Sequence, residues 1–190
     1  MLPEDKKIKT KAQLKEYIEA DCQRYPMYGR RYLSYLLQIS EGAVLRKHSI
    51  LLRKTEYFVN TGKRLRAAIY RARLMRFHNK TGLRMPLNIC GKGMFIYHVL
   101  PLCINGNVNI GENCRIMPFV KLVGDDKNDA CPTIGNNVTL GIDCTVLGDV
   151  YIADGITVGA GSVVTKSFYE PGISIAGVPA RKVGGGEKKE

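Results

Sequence analysis

Aliphatic residues recur at every sixth position along the second half of the chain, with polar residues and glycines between them. This period matches neither a helix, with about 3.6 residues per turn, nor an alternating strand. It is typical of short strands separated by turns, three of which form one triangular coil of a β-helix. The repeat positions are Ile104, Ile110, Ile116, Leu122, Ile134, Leu140, Val146, Ile152, Val158 and Val164.

A second set of small or branched residues lies four positions after the aliphatic ones, and turn-forming residues lie between the two sets. We expect the second set to point into the coil and the turn residues to adopt positive φ. The second set is Val108, Cys114, Val120, Val138, Cys144, Val150, Ile156 and Ser162. The turn residues are Asn107, Asn113, Asn137, Asp143, Asp149, Gly155 and Gly161. One loop, over 124–132, interrupts the repeat.

The first 82 residues show helical signals instead of this repeat. The predicted helices run from Thr10 to before Pro26, from Arg30 to Gln38, from Ser40 or Glu41 to Gly62, and from Lys63 to about His78. The predicted fold class is therefore α+β. A basic helical domain is expected over 1–82, a parallel β-helix over 83–184 and a disordered tail over 185–190.

The positive charge of the chain comes entirely from the helical part. Residues 1–80 contain 19 Lys and Arg against 7 Asp and Glu, a net of +12 that equals the formal charge of the whole chain. Two interpretations stay open. The basic side chains form a solvated surface over apolar positions, or they attract an anionic partner such as a membrane leaflet or a glycan intermediate. No nucleic-acid-binding module accompanies the charge, so nucleic acid is not an expected partner.

Composition argues against a membrane span and for a reducing compartment. No run of about 18 apolar residues occurs, and the charged start of the chain lacks the apolar segment of a secretory signal. The six cysteines form no CxxC pair, and Cys114 and Cys144 fall on inward positions of the repeat. We expect these two to be packing residues and the protein to be cytoplasmic.

His98 lies six residues before Ile104, so the repeat predicts it at an inward aliphatic position. An imidazole where the pattern requires Ile or Val breaks a local rule, and such breaks favour functional sites. The other two histidines, His48 and His78, fall in the helical part and are expected at its surface or in an interface.

Residues 91–184 resemble the hexapeptide-repeat acyltransferases, specifically their serine O-acetyltransferase branch. The resemblance depends on Gly91-Lys92-Gly93, on His98, on the loop ending in Cys131-Pro132, and on the segments 158–164 and 176–181. It implies a left-handed parallel β-helix, an exception to the usual right-handed crossover. It also implies a homotrimer with acetyl-CoA in grooves between coils and, in some members, two trimers joined through a helical domain.

The resemblance further implies that His98 is the general base for attack of an acceptor hydroxyl on the thioester. Small residues would let the pantetheine arm approach the backbone, and cations would bind the CoA phosphates. The predicted cofactor-binding residues are Gly124, Gly141, Gly159, Ala160, Lys166, Ala176, Arg181 and Lys182. No metal is expected, because a zinc site of the γ-carbonic anhydrase type needs three histidines and the repeat region has only His98.

Residues around the predicted base depart from the serine acetyltransferase pattern. In that family an Asp precedes the base and the loop carries Arg-His-Pro, whereas this chain has Tyr97 and Ala130-Cys131-Pro132. The Asp that orients the base aligns near Leu83, so Asn88 is a candidate in its place. Without the Arg that would bind a serine carboxylate, we expect a sugar hydroxyl of a polysaccharide pathway as acceptor. The predicted acceptor-contacting residues are Tyr97, Asn88, Asp129 and Cys131.

Two alternatives remain beside the glycan acceptor. The first is transfer to L-serine, a small-molecule acceptor, which yields O-acetylserine for cysteine biosynthesis. The second is a non-catalytic trimeric assembly module whose basic helices bind an anion.

Overall fold

A computed structural model of the chain describes residues 3–25, 40–125 and 130–185. Within these ranges a short 3-10 turn, Glu4–Lys6, precedes three helices: α1 Lys11–Cys22, α2 Glu41–Asn60 and α3 Arg64–Thr81. All three were predicted from the sequence. The helix predicted over 30–38, the acceptor candidate Asp129 and the tail over 186–190 lie outside the described residues.

Capping residues in the sequence mark where the helices begin and end. Thr10 and Gln13 form a reciprocal capping box before α1, and the Ser40 hydroxyl accepts a hydrogen bond from the Ala43 N–H before α2. Gly82, at φ 73°, ends α3 in the left-handed region. No helix among residues 3–25, 40–125 and 130–185 is long and apolar enough to cross a membrane.

The remainder of the chain forms a left-handed parallel β-helix with three faces. The first face contains β1 Phe95–Ile96, β4 Arg115–Ile116, β7 Thr139–Leu140, β10 Thr157–Val158 and β12 Ser174–Gly177. The second contains β2 Cys103–Ile104, β5 Lys121–Val123, β8 Thr145–Leu147 and β11 Val163–Val164. The third contains β3 Asn109–Ile110, β6 Thr133–Ile134 and β9 Tyr151–Ile152. A final strand, β13 Ala180–Gly184, pairs antiparallel with β12.

The repeat residues stack on one another from coil to coil. On the third face Ile110 pairs in register with Ile134 and then Ile152, and the other faces follow the same rule. Nine of the ten repeat positions are buried and Ile104 is partly exposed, which confirms the predicted core. Burying each such side chain contributes about 1.5–3 kcal/mol. Cys114 and Cys144 are buried as predicted, and burial raises the pKa of each thiol to about 12.

The register predicted for His98 is wrong. Ile96, not His98, occupies the inward position, since Ile96 pairs with Ile116 of the next coil. Eight residues rather than six separate Ile96 from Ile104, so this corner of the first coil is two residues longer than the repeat. His98 lies on the lengthened corner with 55% of its side chain exposed.

The turn residues follow the prediction at five of seven positions. Asn113, Asn137, Asp143, Gly155 and Gly161 have positive φ. The two exceptions are Asn107 and Asp149, and at the second of these turns the preceding Gly148 has the positive φ instead.

A buried guanidinium connects the helices to the first turns of the β-helix. The Arg53 side chain on α2 donates to both carboxylate oxygens of Asp21 on α1, at 2.8 and 3.4 Å, and to Glu56 at 3.0 Å. It also donates to the carbonyls of Cys90 and Gly91, at 2.9 and 2.7 Å. All three charged side chains have an exposure of 2% or less.

The two carboxylates continue this network into the β-helix. Asp21 accepts a hydrogen bond from the Met94 N–H at 3.0 Å, and Glu56 accepts one from the Asn88 N–H at 2.8 Å. Burial raises the pKa of both Asp21 and Glu56, and the charge of Arg53 opposes that rise. Replacing the guanidinium therefore leaves two carboxylates buried without their cation.

We predict that Arg53→Met lowers the free energy of unfolding by about 3–5 kcal/mol, because an ion pair broken on one side leaves uncompensated buried charge. Urea unfolding followed by circular dichroism measures the change. Lys54→Met, next along α2, is the matched control and should stay within about 0.5 kcal/mol of wild type. Equal urea midpoints for Arg53→Met and wild type would show that the network adds nothing to stability.

Two histidines pack together inside the helical part, contrary to the surface or interface position expected for them. The ring centroids of His48 and His78 are 5.7 Å apart, and Phe77 lies 5.5 Å from His48. Neither ring nitrogen of His48 has a hydrogen-bond partner among the described residues. The pKa of His48 is lowered to about 3, chiefly by burial and in smaller part by the neighbouring His78 and Arg53. His48 is therefore buried in its neutral form.

This burial predicts a loss of stability in mild acid. The unfolded chain takes up a proton at His48 below a pH of about 6.5, whereas the folded chain does not until about pH 3. The contribution of His48 to the free energy of unfolding thus falls by about 2 kcal/mol between pH 7 and pH 5. His48→Phe, which keeps an aromatic ring beside Phe77, should remove that part of the pH dependence in urea titrations. An equal loss in wild type and variant would contradict the assignment.

Candidate active site

His98 contacts the first turn of α2. Its Nδ1 lies 3.1 Å from Oε2 of Glu41, and Oε1 of the same carboxylate accepts a hydrogen bond from the Val99 N–H at 2.8 Å. The Val99 hydrogen bond is the main reason that the pKa of Glu41 is lowered, and the His98 ring acts in the same direction. An ionised carboxylate at Nδ1 favours the tautomer with the proton on Nδ1, which leaves the Nε2 lone pair to accept a proton.

The start of α2 holds the Glu41 carboxylate in place. Ser40 caps the helix, and Glu41 is its first residue, where the helix dipole favours a negative charge. Sequence reasoning missed Glu41 as a partner of His98, because 57 residues separate the two. An acidic residue next to an N-cap was visible in the sequence, but nothing there connects this helix end with the first coil.

Asn88 does not orient His98, and that hypothesis is wrong. Its side-chain amide exchanges two hydrogen bonds with Asn60 at the end of α2, each at 2.9 Å. Asn88 is buried and has φ 57°, so it stabilises the junction between α2 and the β-helix. Leu83, which aligns with the family's orienting Asp, is fully buried in the core.

The remaining acceptor candidates are divided between two corners of the β-helix. We name the turn from the first to the second face the 1–2 corner and the turn from the second to the third face the 2–3 corner. Tyr97 precedes His98 on the 1–2 corner, and its ring packs edge-on against Phe95 with centroids 4.7 Å apart. Cys131 lies on the 2–3 corner beside Gly124, where an added Cβ would meet its sulfur at 2.7 Å.

Three of the predicted cofactor residues, Gly141, Gly159 and Ala160, lie on the 1–2 corner, in coils that follow that of His98. Ala176, in β12, stacks on Gly159 from the next coil, and we name these four residues the small-residue column. A Cβ on Gly141 would lie 2.5 Å from the Val158 carbonyl oxygen, and one on Gly159 would lie 3.0 Å from the Ala176 Cβ. Coil stacking by itself therefore requires small residues here. With about 4.8 Å between coils, Gly159 is roughly 14 Å along the axis from the coil of His98.

The predicted cations are also divided between the corners. Arg181 lies on β13 opposite Ala176, at the end of the small-residue column. Lys182 forms a salt bridge with Glu170, its Nζ 2.7 and 2.8 Å from the two carboxylate oxygens. Lys166 follows β11 on the 2–3 corner, with its ammonium 5.6 Å from the centroid of Phe168. One chain thus brings His98, the small-residue column and Arg181 together, but not Gly124 or Lys166.

A depression of about 490 Å³ lies beside the His98 corner. The end of α3 supplies Lys80 to its wall, and the start of α2 supplies Glu41. The complete lining is Glu41, Val44, Phe77, Lys80, Thr81 and Val99. A small polar molecule in this space would contact the Glu41 carboxylate, which in turn contacts the His98 ring.

Phe119 lies on the same corner, one coil after His98, in a strained conformation. Its φ is 61°, in a turn position where other coils have Asn, Asp or Gly, and 42% of it is exposed. For an aromatic residue this backbone conformation is an outlier. Strain of this kind is concentrated at functional sites, so Phe119 joins the candidate site. The sequence analysis missed it, although an aromatic residue at a turn position of the repeat was a visible signal.

Comparison with known proteins agrees with the β-helix fold. Residues 131–166 match the family described as bacterial transferase hexapeptide (six repeats). The serine acetyltransferase of Synechococcus elongatus is 34% identical over 95 residues, which cover 49% of this chain and 38% of that relative. The crystal structure of Neisseria gonorrhoeae serine acetyltransferase aligns with a TM-score of 0.67 at 26% identity, covering 95% of this chain and 70% of that one. The soybean serine acetyltransferase complexed with serine aligns with a TM-score of 0.62 at 27% identity, covering 90% and 68%.

The chain is thus similar to the hexapeptide-repeat transferases, and in particular to serine acetyltransferases. This serine-acetyltransferase-like chain spans less than two thirds of the length of the curated relatives that it matches, 38% and 54% in two of them. These comparisons confirm the fold predicted from the repeat and the resemblance to serine acetyltransferases.

Proposed function

We propose that the protein is an acetyl-CoA-dependent O-acetyltransferase. The observation that carries this proposal is the Glu41–His98 pair at the exposed corner of a hexapeptide β-helix, in line with a column of small residues. An exposed imidazole whose Nδ1 faces a carboxylate is arranged as a general base. The names of the relatives, serine acetyltransferases, support the same class of reaction.

In this mechanism Nε2 of His98 accepts the proton of the acceptor hydroxyl while its oxygen attacks the thioester carbonyl carbon. The tetrahedral intermediate collapses by breaking the carbon–sulfur bond, and the imidazolium returns the proton to the CoA thiolate. Glu41 acts as a positioning residue that fixes the ring and stabilises the imidazolium. The products are an acetyl ester and CoA.

The position of the donor-binding residues supports a homotrimer. Gly141, Gly159 and Ala160 lie on the 1–2 corner and Ala176 stacks on Gly159 from β12, whereas Gly124 and Lys166 lie on the 2–3 corner. A neighbouring protomer that presents its 2–3 corner to this 1–2 corner would bring both sets to one acetyl-CoA. Arg181 and Lys182 would then lie at the phosphate end. Pairing of two trimers through the helical part is a further part of the proposal.

L-Serine is the acceptor that the comparisons favour, and the sugar hydroxyl preferred from the sequence receives no support from them. The depression beside His98 is consistent with serine, since Lys80 on its wall would attract a carboxylate. A sugar acceptor remains the second candidate because of one observation: the loop has Ala130 and Cys131 where a serine acetyltransferase has Arg and His.

An assay of acetyl-CoA thioester consumption with L-serine and a panel of sugars tests the acceptor. We expect turnover with L-serine. Turnover with a sugar but not with L-serine would show that the acceptor is a sugar hydroxyl, the second candidate. Intact trimers that fail to bind CoA in calorimetry would instead support the assembly module and overturn the enzymatic proposal.

Substitutions at the pair test the mechanism. We predict that His98→Ala lowers kcat by about 10²- to 10⁴-fold, the contribution of a general base. Glu41→Gln should lower kcat by at least about tenfold while KM for acetyl-CoA is unchanged, because the carboxylate acts only through the imidazole. Glu19→Gln, an exposed carboxylate on α1, is the matched control. Wild-type kcat in Glu41→Gln would show that the carboxylate has no part in positioning His98.

A further inference from the structure

An apolar stripe on α3 faces away from the protein core. Leu65 is 76% exposed, Ile69 49% and Met75 54%, and Ala68 and Ala72 between them are also exposed. A surface helix normally turns its apolar stripe toward the core. Here the core-facing side of α3 is a different set: Ala67, Tyr70, Leu74, Phe77 and His78. The helix therefore has two apolar sides, and within residues 3–25, 40–125 and 130–185 only one of them has a partner.

Cations border the exposed stripe on both sides. At about 100° per residue, Arg64 and Arg71 flank one edge, Arg66 and Arg73 flank the other, and Arg76 lies within the stripe. Lys80 extends the second edge. Helix α3 contains no acidic residue, and the sequence has none between Glu56 and Glu112. None of these six cations forms an ion pair within residues 3–25, 40–125 and 130–185.

The combination of charge and apolar exposure selects among partners. A second copy of α3 placed against this stripe would bring arginine against arginine, so self-association through this surface is disfavoured. A nucleic acid would use the cations but leave Leu65, Ile69 and Met75 exposed to water. An anionic bilayer uses both features, since its headgroups attract the cations and its acyl boundary accepts the apolar side chains.

We propose that α3 binds the surface of an anionic lipid bilayer, lying in the plane of the interface. Each Arg close to an anionic surface contributes about fivefold to the partition coefficient. The apolar side chains of the stripe would enter the acyl boundary of the bilayer, so binding would not depend on the attraction between cations and headgroups alone. This proposal is independent of the acetyl-transfer chemistry.

Co-sedimentation of the 190-residue protein with lipid vesicles tests whether α3 binds an anionic bilayer. Vesicles of equal parts phosphatidylcholine and phosphatidylglycerol should bind the protein, with affinity that falls as salt rises, and vesicles of phosphatidylcholine alone should not. Arg64→Gln/Arg76→Gln should weaken binding roughly 25-fold. Leu65→Gln/Ile69→Gln should weaken it roughly tenfold without altering its salt dependence.

Matched double variants on the β-helix provide the controls. Arg115→Gln/Lys121→Gln removes the same charge, and Leu147→Gln/Tyr169→Gln removes exposed apolar side chains, with no expected loss of binding. Equal losses in the α3 variants and these controls would overturn the proposal. So would an absence of binding at low salt. A change in oligomeric state of Leu65→Gln/Ile69→Gln without vesicles, measured by light scattering, would assign the stripe to an interface between copies instead.

Discussion

The Arg53 guanidinium is the interaction on which the relation between the two parts of the molecule depends. It binds one carboxylate on α1, one on α2, and two carbonyl oxygens at the entrance of the β-helix. Helix α2 also carries Glu41 at its first turn, and the coil entered at Gly91 continues to His98. The guanidinium thus holds against the first coil the same helix that places Glu41 beside His98.

A charged connection suits this junction better than an apolar one would, although burying ions is costly. Apolar surfaces can slide over one another with small changes in free energy, whereas a planar guanidinium has donors in fixed directions. Here those donors meet two successive carbonyls, Cys90 and Gly91, which permits one register of helix against coil. The Tyr25 hydroxyl strengthens the same register by bonding both backbone groups of Ile96. We infer that the network is retained for this specificity more than for net stability.

Most of the fold was predictable because the repeat and the helix caps are local signals. The spacing of Ile110, Ile134 and Ile152 is enough to predict that they stack on one another. Thr10 and Ser40 are capping residues, which predict where a helix starts from the local sequence alone. The site was less predictable, because it lies where the repeat fails. Counting backwards from Ile104 assumed a six-residue corner, and the two extra residues there moved His98 from the interior to the surface. The contact of Glu41 with His98 could not be predicted for another reason, because it depends on how a helix packs on a coil.

The contact between Glu41 and His98 means that, under the proposed mechanism, the helical part of the molecule would shape the acceptor site. The resemblance places an orienting Asp near Leu83, which is apolar and buried, and the carboxylate beside His98 comes from the helical part instead. The depression beside His98 is lined by the same helices, through Val44, Phe77, Lys80 and Thr81. Acceptor recognition would then depend on α2 and α3 rather than on the loop that contains Ala130 and Cys131. The missing loop charges therefore do not by themselves argue against a charged acceptor such as serine, because Lys80 offers a cation from a different element.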